Sequence, residues 1–273
     1  MRRQKAESRK QKAEGRRRRP SSFILHPSSF SFGFTLLELL TVIAIMGIIA
    51  AMALPTIRGL KPNASAVASR QLLDALTRAR QLALSQRSTV YMVFVPTNII
   101  TMTGANLGRV QPLLDRQLLG YSYVALRSVG DQPGVSYPRY LSSWRTLPEG
   151  AYIPLAKFST GLWIPTDQGN VFAAPFLTTN NIPFPTEDNP VNVALWLPYI
   201  AFDALGGLVS AQDEAIPVSE GSVSFARDPG TKLALPQPPV VREVPPGNTF
   251  SNYSLVYIDH ITGRGRIEHR KVQ

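Results

Sequence analysis

The sequence predicts an α+β fold: a long N-terminal hydrophobic helix leads into a helical spine packed on an antiparallel β-sheet globular domain. Three observations carry this prediction. Residues 34–54, FTLLELLTVIAIMGIIAAMAL, form an apolar run of 21 residues with Glu38 as its one charge. Residues 64–88 place Val67, Leu72, Leu73, Leu76, Ala79 and Ala83 on one helical face, with Arg70, Asp74, Arg78 and Arg87 mostly on the others. From residue 89 onward, Pro and Gly punctuate short runs rich in β-branched and aromatic residues.

The segment before the apolar run is set apart by charge. The chain of 273 residues carries a net charge of +11 and no cysteine. Residues 1–33 hold ten basic residues against Glu7 and Glu14, a net of +8, which leaves 19 basic and 16 acidic residues, a net of +3, for 34–273. The body is therefore not a strongly basic domain. A basic tail beside a membrane-length apolar run is explained by topology, so nucleic acid is not an expected partner. RQKAESR at 3–9 is echoed by KQKAEGR at 10–16, and PSSF at 20–23 returns at 27–30. Such text has no core-forming pattern and reads as a cytoplasmic leader. The absence of cysteine excludes a disulfide framework, an iron–sulfur cluster and a thiol nucleophile.

At ~1.5 Å of helix per residue the run 34–54 spans roughly 30 Å, enough for a bilayer core. The basic block before it puts the N-terminus in the cytoplasm and the remainder outside. The run is longer than a secretory signal core and reads as a retained anchor. Pro55 is either the breaker that ends this helix or a kink within a longer one. Asn63 and Ser65 are candidate caps for the amphipathic helix that follows. TVYMVFVP at 89–96 is the first strand. Others are expected at Tyr121–Val129, Tyr152–Ile153, Val191–Leu197, Ile200–Phe202, Ser222–Ala226, Ser254–Asp259 and Arg266–Ile267. The Pro-rich stretches 164–190 and 236–246 are expected to be surface loops.

The sharpest feature is the junction SFG|FTLLE, with Gly33 before Phe34 and a carboxylate four residues beyond. Here the chain resembles the type IV pilins and type II secretion pseudopilins, whose prepilin signal is cut after Gly before the new Phe amine is N-methylated. Gly33, Phe34, Thr35, Leu36 and Glu38 stand where that signal wants them, and Gly47 and Pro55 fall where many members carry Gly and Pro. The leader is far longer than the short basic one usual in that family. The resemblance implies a division into a leader (1–33) removed by prepilin peptidase, a transmembrane and assembly helix (34–54), a kinked continuation with the amphipathic helix (55–88), and an extracytoplasmic β-rich domain (89–273). It also implies a single-pass protein of the inner membrane that later enters a pseudopilus or pilus, its C-terminal domain periplasmic or extracellular. The implied partners are the prepilin peptidase and N-methyltransferase, other pilin or pseudopilin subunits, the inner-membrane assembly platform, and membrane lipid before assembly.

A lone carboxylate among lipid tails costs about 2.5–3.5 kcal/mol unless neutralised or paired. The resemblance implies that Glu38 meets the Phe34 amine of a neighbouring subunit and so fixes register; the alternative is a Glu that faces the headgroups and favours the helix N-terminus. A finer resemblance is to the H-type minor pseudopilins, the GspH/FimT group. Ala79, Arg80, Ala83, Arg87 and Val90 follow that group's helix-to-strand pattern, and LPEG at 147–150, FDALGG at 202–207 and YIDHITGRGRI at 257–267 fit its turns and closing hairpin. The expected function is that of a structural subunit and not an enzyme. The alternative is a minor pilin binding module whose β domain captures DNA or a surface ligand.

Catalytic constellations are not found in the sequence. The three histidines, His26, His260 and His269, cannot build an H-E-x-x-H or three-ligand zinc site. G-x-S-x-G and P-loop motifs do not occur, and the Gly263–Gly265 pair reads as a hairpin turn. No cofactor or metal is expected. Glu187–Asp188 and Asp213–Glu214 could hold Ca²⁺ but lack ligand spacing and read as solvated loops. Trp144, Trp163 and Trp196 are candidates either for a binding surface or for partial burial in the core.

Overall fold

The computed structural model describes residues 35–59, 64–97, 99, 110–127, 130–131, 138–166, 169–186, 189–251 and 253–269, with side chains left undescribed at 50–59, 179–195, 251, 253 and 269. Two units emerge, residues 1–59 and 60–273. In the first, helix α1 covers Leu36–Gly59. It runs through Pro55, so this residue does not end the helix.

The second unit begins with α2 (Ala64–Gln86). Its buried stripe is Ser65, Ala68, Ser69, Leu72, Ala75, Leu76, Ala79 and Ala83, at spacings of three and four that keep one face inward. Val67, expected on that face, is 43% exposed. Two serines take part instead, because their hydroxyls are satisfied internally: Ser69 Oγ donates to Ser65 O at 2.7 Å, and Ser65 Oγ lies 3.3 Å from Ser254 Oγ. The start of α2 is capped from a distance. Ser65 N–H donates to the Glu220 carboxylate at 3.2 Å, across 155 positions of sequence, and an anion there also favours the helix dipole. Ser65 is thus inside the helix and not its cap, and Asn63 lies outside the described residues. At the other end Arg87 adopts φ 47° and Ser88 N–H returns to Ala83 O at 3.3 Å, a left-handed terminator on a residue other than glycine.

Three antiparallel sheets follow among the described residues. The first has the order β3-β2-β1-β9-β8, from β1 (Val90–Phe94), β2 (Gly120–Ala125), β3 (Arg139–Tyr140), β8 (Leu177–Thr186) and β9 (Asn189–Phe202), with β4 (Arg145–Thr146) also on β2. The second has the order β11-β10-β12-β13, from β10 (Glu214–Ser224), β11 (Val240–Glu243), β12 (Tyr253–Ile258) and β13 (Gly265–His269), with β5 (Ala151–Tyr152) also on β10. The third is the hairpin of β6 (Leu162–Thr166) and β7 (Gly169–Ala173). Short 3₁₀ turns at Gln111–Leu113 and Leu155–Phe158 and a helical turn α3 (Asn248–Ser251) complete it.

The Pro-rich stretch 164–190 is therefore not loop: it supplies the end of β6, all of β7 and β8, and the start of β9. Proline is tolerated in strands at a sheet edge or where a neighbouring ladder stops. Pro183 and Pro185 lie in β8, the outer strand of its sheet. Pro198 sits one residue beyond Tyr199, the last β9 position paired to β1. Pro217 precedes Ser219, where the β5 pairing starts. Expected strand 121–129 stops at Ala125, and 128–129 lie outside the described residues.

α2 packs across both large sheets, on β1 and β9 of one and on β5, β10, β12 and β13 of the other. The core beneath it joins Leu72 and Leu76 to Met92, Phe94, Tyr123, Phe202, Ile216 and Val256. Burying each such side chain contributes about 1.5–3 kcal/mol. A second cluster, with Val93, Val124, Leu197 and Trp144, covers the opposite face of the first sheet, as the two-residue strand alternation requires. A third seats Leu162, Ile164 and Ala173 of the small hairpin on Ala215 and Leu255.

Candidate functional site

Gly33 and Phe34, the residues of the expected cleavage, lie outside the described residues. Description begins at Thr35, which caps α1: its Oγ1 accepts the Glu38 N–H at 3.2 Å and its carbonyl accepts the same N–H at 3.0 Å. The spacing Thr35-x-x-Glu38 is that of a capping box, a signal the sequence carries in addition to the cleavage junction. Glu38 thus stands in the first turn with its side chain exposed, at the end of the helix where a carboxylate is favoured.

Apart from Glu38 and Thr41, the described side chains of α1 are apolar and exposed, Leu36 at 82% and Met46 at 68% among them. A helix apolar all round is not a stable surface in water and needs lipid or other helices. Among the described residues nothing lies within 4 Å of the space a Cβ at Gly47 would take. Among the described residues no helix is long and apolar enough to cross a membrane; the side chains of α1 are described as far as Ile49, whereas the run in the sequence extends to Leu54.

In the second unit, three phrases noted in the sequence meet in space. Arg80 Nε of α2 donates to Gly206 O at 3.1 Å and to Thr262 O at 2.8 Å, fastening the 202–207 turn to the 259–264 turn. Asp203 Oδ1 accepts the N–H groups of Leu205 and Gly207, each at 2.9 Å, and Asp259 Oδ1 accepts the Thr262 N–H at 2.7 Å. Gly263 has φ +60°, and a Cβ there would fall 1.9 Å from Gly206 O. Only glycine fits that crossing.

The acidic pair Asp213–Glu214 is engaged by protein groups. Glu214 is bonded to Lys157, whose side chain is fully buried, donates also to Ala174 O and lies 4.7 Å from the Phe176 ring centroid. Desolvation lowers the pKa of Lys157 and raises that of Glu214, while each partner opposes the shift in the other. Asp213 accepts from the Tyr257 hydroxyl, from the His260 N–H at 2.9 Å, and pairs with His260 Nδ1 at 2.6 Å. These bonds, Tyr257 first, hold its pKa down to about 2. Glu187–Asp188 lie outside the described residues, and among those described no group of three metal-ligating side chains forms. Trp144 is buried, whereas Trp163 and Trp196 are 63% and 53% exposed.

Residues 29–54 match the family described as the prokaryotic N-terminal methylation motif. That match bears out the pilin-type resemblance read from the Gly33–Phe34 junction, and the helix followed by antiparallel sheets bears out the α+β class. Among solved structures, the chain is similar to the type IV minor pilin FimU of Pseudomonas aeruginosa, with 11% identity, 77% of this chain and 90% of that chain covered, and a TM-score of 0.30. Comparison with curated proteins finds no match.

Proposed function

We propose, from the premise that residues 29–54 carry the prepilin-type methylation motif, that this chain is a pilin-like structural subunit of a pseudopilus or type IV pilus. The single observation that carries the reading is that junction, followed by a helix apolar on every described side. Prepilin peptidase cuts between Gly33 and Phe34, and Phe34 becomes the N-methylated N-terminus. The apolar helix rests in the inner membrane with lipid as its first partner. It then moves through the assembly platform into a bundle of like helices, where the exposed α1 surface is buried. Glu38, already at the cap of the helix, meets the Phe34 amine of a neighbour and fixes axial register. The unit from residue 60 faces the periplasm or the exterior, and the finer place of the chain is that of an H-type minor subunit in a type II secretion pseudopilus. It is a processing substrate and not a catalyst.

The test is the N-terminal residue and intact mass of the protein extracted from membranes, with and without co-expressed prepilin peptidase. The expected product begins at Phe34 and is heavier by one methyl group. Retention of residues 1–33 beside an active peptidase overturns the reading. Glu38→Ala is expected to insert into the membrane and fail to enter filaments; normal incorporation would remove the register role.

A further inference from the structure

A groove of about 830 Å³ runs between α2 and the strands β2 and β4. The Gln71 amide spans it, donating to the Tyr121 hydroxyl at 3.2 Å and to Thr146 O at 2.8 Å, and the Tyr123 hydroxyl donates to Ala75 O at 3.0 Å. The floor is thus tied down, and both tyrosine rings are buried, offering no open face on which a base could stack. Its walls carry Arg70, Asp74 and Arg78 from the helix and Arg145 from β4, all exposed. Among the described residues the ion pairs are made by other groups, so these four side chains remain open to a partner's charges. A second hollow, lined by Asp74, Arg78, Gln81 and Ser85, continues along the helix.

The order of charge along the helix is plus, minus, plus at steps of four residues, so the centres lie about 6 and about 12 Å along the axis. Arg145 adds a further guanidinium from the opposite wall. Guanidinium groups select carboxylates or phosphates. A phosphate chain is negative at every step and must carry one charge past Asp74, where it is repelled. A protein segment with acidic side chains about 12 Å apart and a basic one between them leaves each of these charges paired.

We propose that this groove binds a partner protein segment whose side chains alternate acidic, basic, acidic at helical four-residue spacing. The site lies in the unit from residue 60 and does not depend on the filament reading, so each can fail alone.

The test uses the full-length chain in detergent micelles and two labelled, alanine-based 12-residue helical peptides. One carries Glu, Lys and Glu at positions 2, 6 and 10; the other carries Lys, Glu and Lys there. Fluorescence anisotropy is expected to show saturable binding of the first, about tenfold weaker binding of the second, and weakening as salt rises. Arg78→Glu with Arg145→Glu should weaken the first peptide about tenfold with circular dichroism unchanged. Asp74→Arg should move the preference to a peptide with Glu at all three positions, a gain that a misfolded variant cannot give. Equal binding of the two peptides, no saturable binding, or tighter binding of an oligonucleotide of twelve thymidines through Arg78 and Arg145 each overturns the proposal.

Discussion

Replacing Gly263 by alanine places a methyl carbon 1.9 Å from the carbonyl oxygen of Gly206, against an ordinary contact of about 3.2 Å, so one of the two turns must retreat by about 1.3 Å. The left-handed backbone adds about 1–2 kcal/mol for a residue with a Cβ. Retreat stretches the Arg80 bonds to Gly206 O and Thr262 O, and the Leu208 N–H bond to His260 O at 2.8 Å, each worth about 1 kcal/mol. The expected loss is about 4–5 kcal/mol, a large share of the stability of an ordinary domain. Guanidinium denaturation of the full-length chain in detergent, followed by Trp fluorescence, measures it. Gly247→Ala is the control, since Gly247 also has a positive φ (+80°) but nothing within 4 Å of the added carbon. A loss at Gly263 within 0.5 kcal/mol (about a factor of two in the equilibrium) of the control would refute the argument that the crossing of the turns matters.

Three further outcomes are expected. Lys157→Met should cost about 3–5 kcal/mol by leaving the Glu214 carboxylate buried without its partner, and Lys157→Met with Glu214→Leu should recover most of that in the same assay. Asp213, with its pKa held down to about 2 against an unfolded value of 3.8, contributes stability above about pH 4 that is lost as the pH falls toward 2. Because its side chain is 38% exposed, screening reduces the contribution to about 1 kcal/mol, and Asp213→Asn should flatten the acid limb of a stability–pH curve; an unchanged limb contradicts the assignment. Arg87→Gly should raise the unfolding midpoint by about 0.5–1 kcal/mol equivalent, since glycine adopts φ 47° without the Cβ penalty; an unchanged or lower midpoint counts against it.

What was legible in the sequence was the local part. Helix α2 was read at 64–88 and ends at Gln86, because its pattern of Leu and Ala is a property of neighbours in the chain. The first strand, β12 and β13 were likewise written in short β-branched runs. The stretch 164–190 differs from the loop its prolines suggest because proline is judged by its lost donor, and whether the donor is needed depends on which strand lies alongside, a fact carried for β8 by residues 189–199. The cap of α2 was hidden for the same reason, its carboxylate arriving from Glu220. At the candidate site, the motif around Glu38 was legible because it is contiguous. The meeting of Arg80 with the two glycine turns was present only as three phrases in order, and the pairing of Lys157 with Glu214 left no mark in the sequence.

The seat of α2 also determines how the folded unit answers a pull. The helix rests on strands of two sheets, so a pull applied along its axis from Ala64 loads the whole buried stripe in shear. The contacts beneath Ala68, Leu72, Ala75, Leu76, Ala79 and Ala83 then slide together and share the load, and do not open one after another as a zipper would. The Arg80 fastening near the far end and the Glu220 cap at the near end resist the same displacement at two points. In mechanical terms a helix so seated is a lap joint, strong against shear along its own axis.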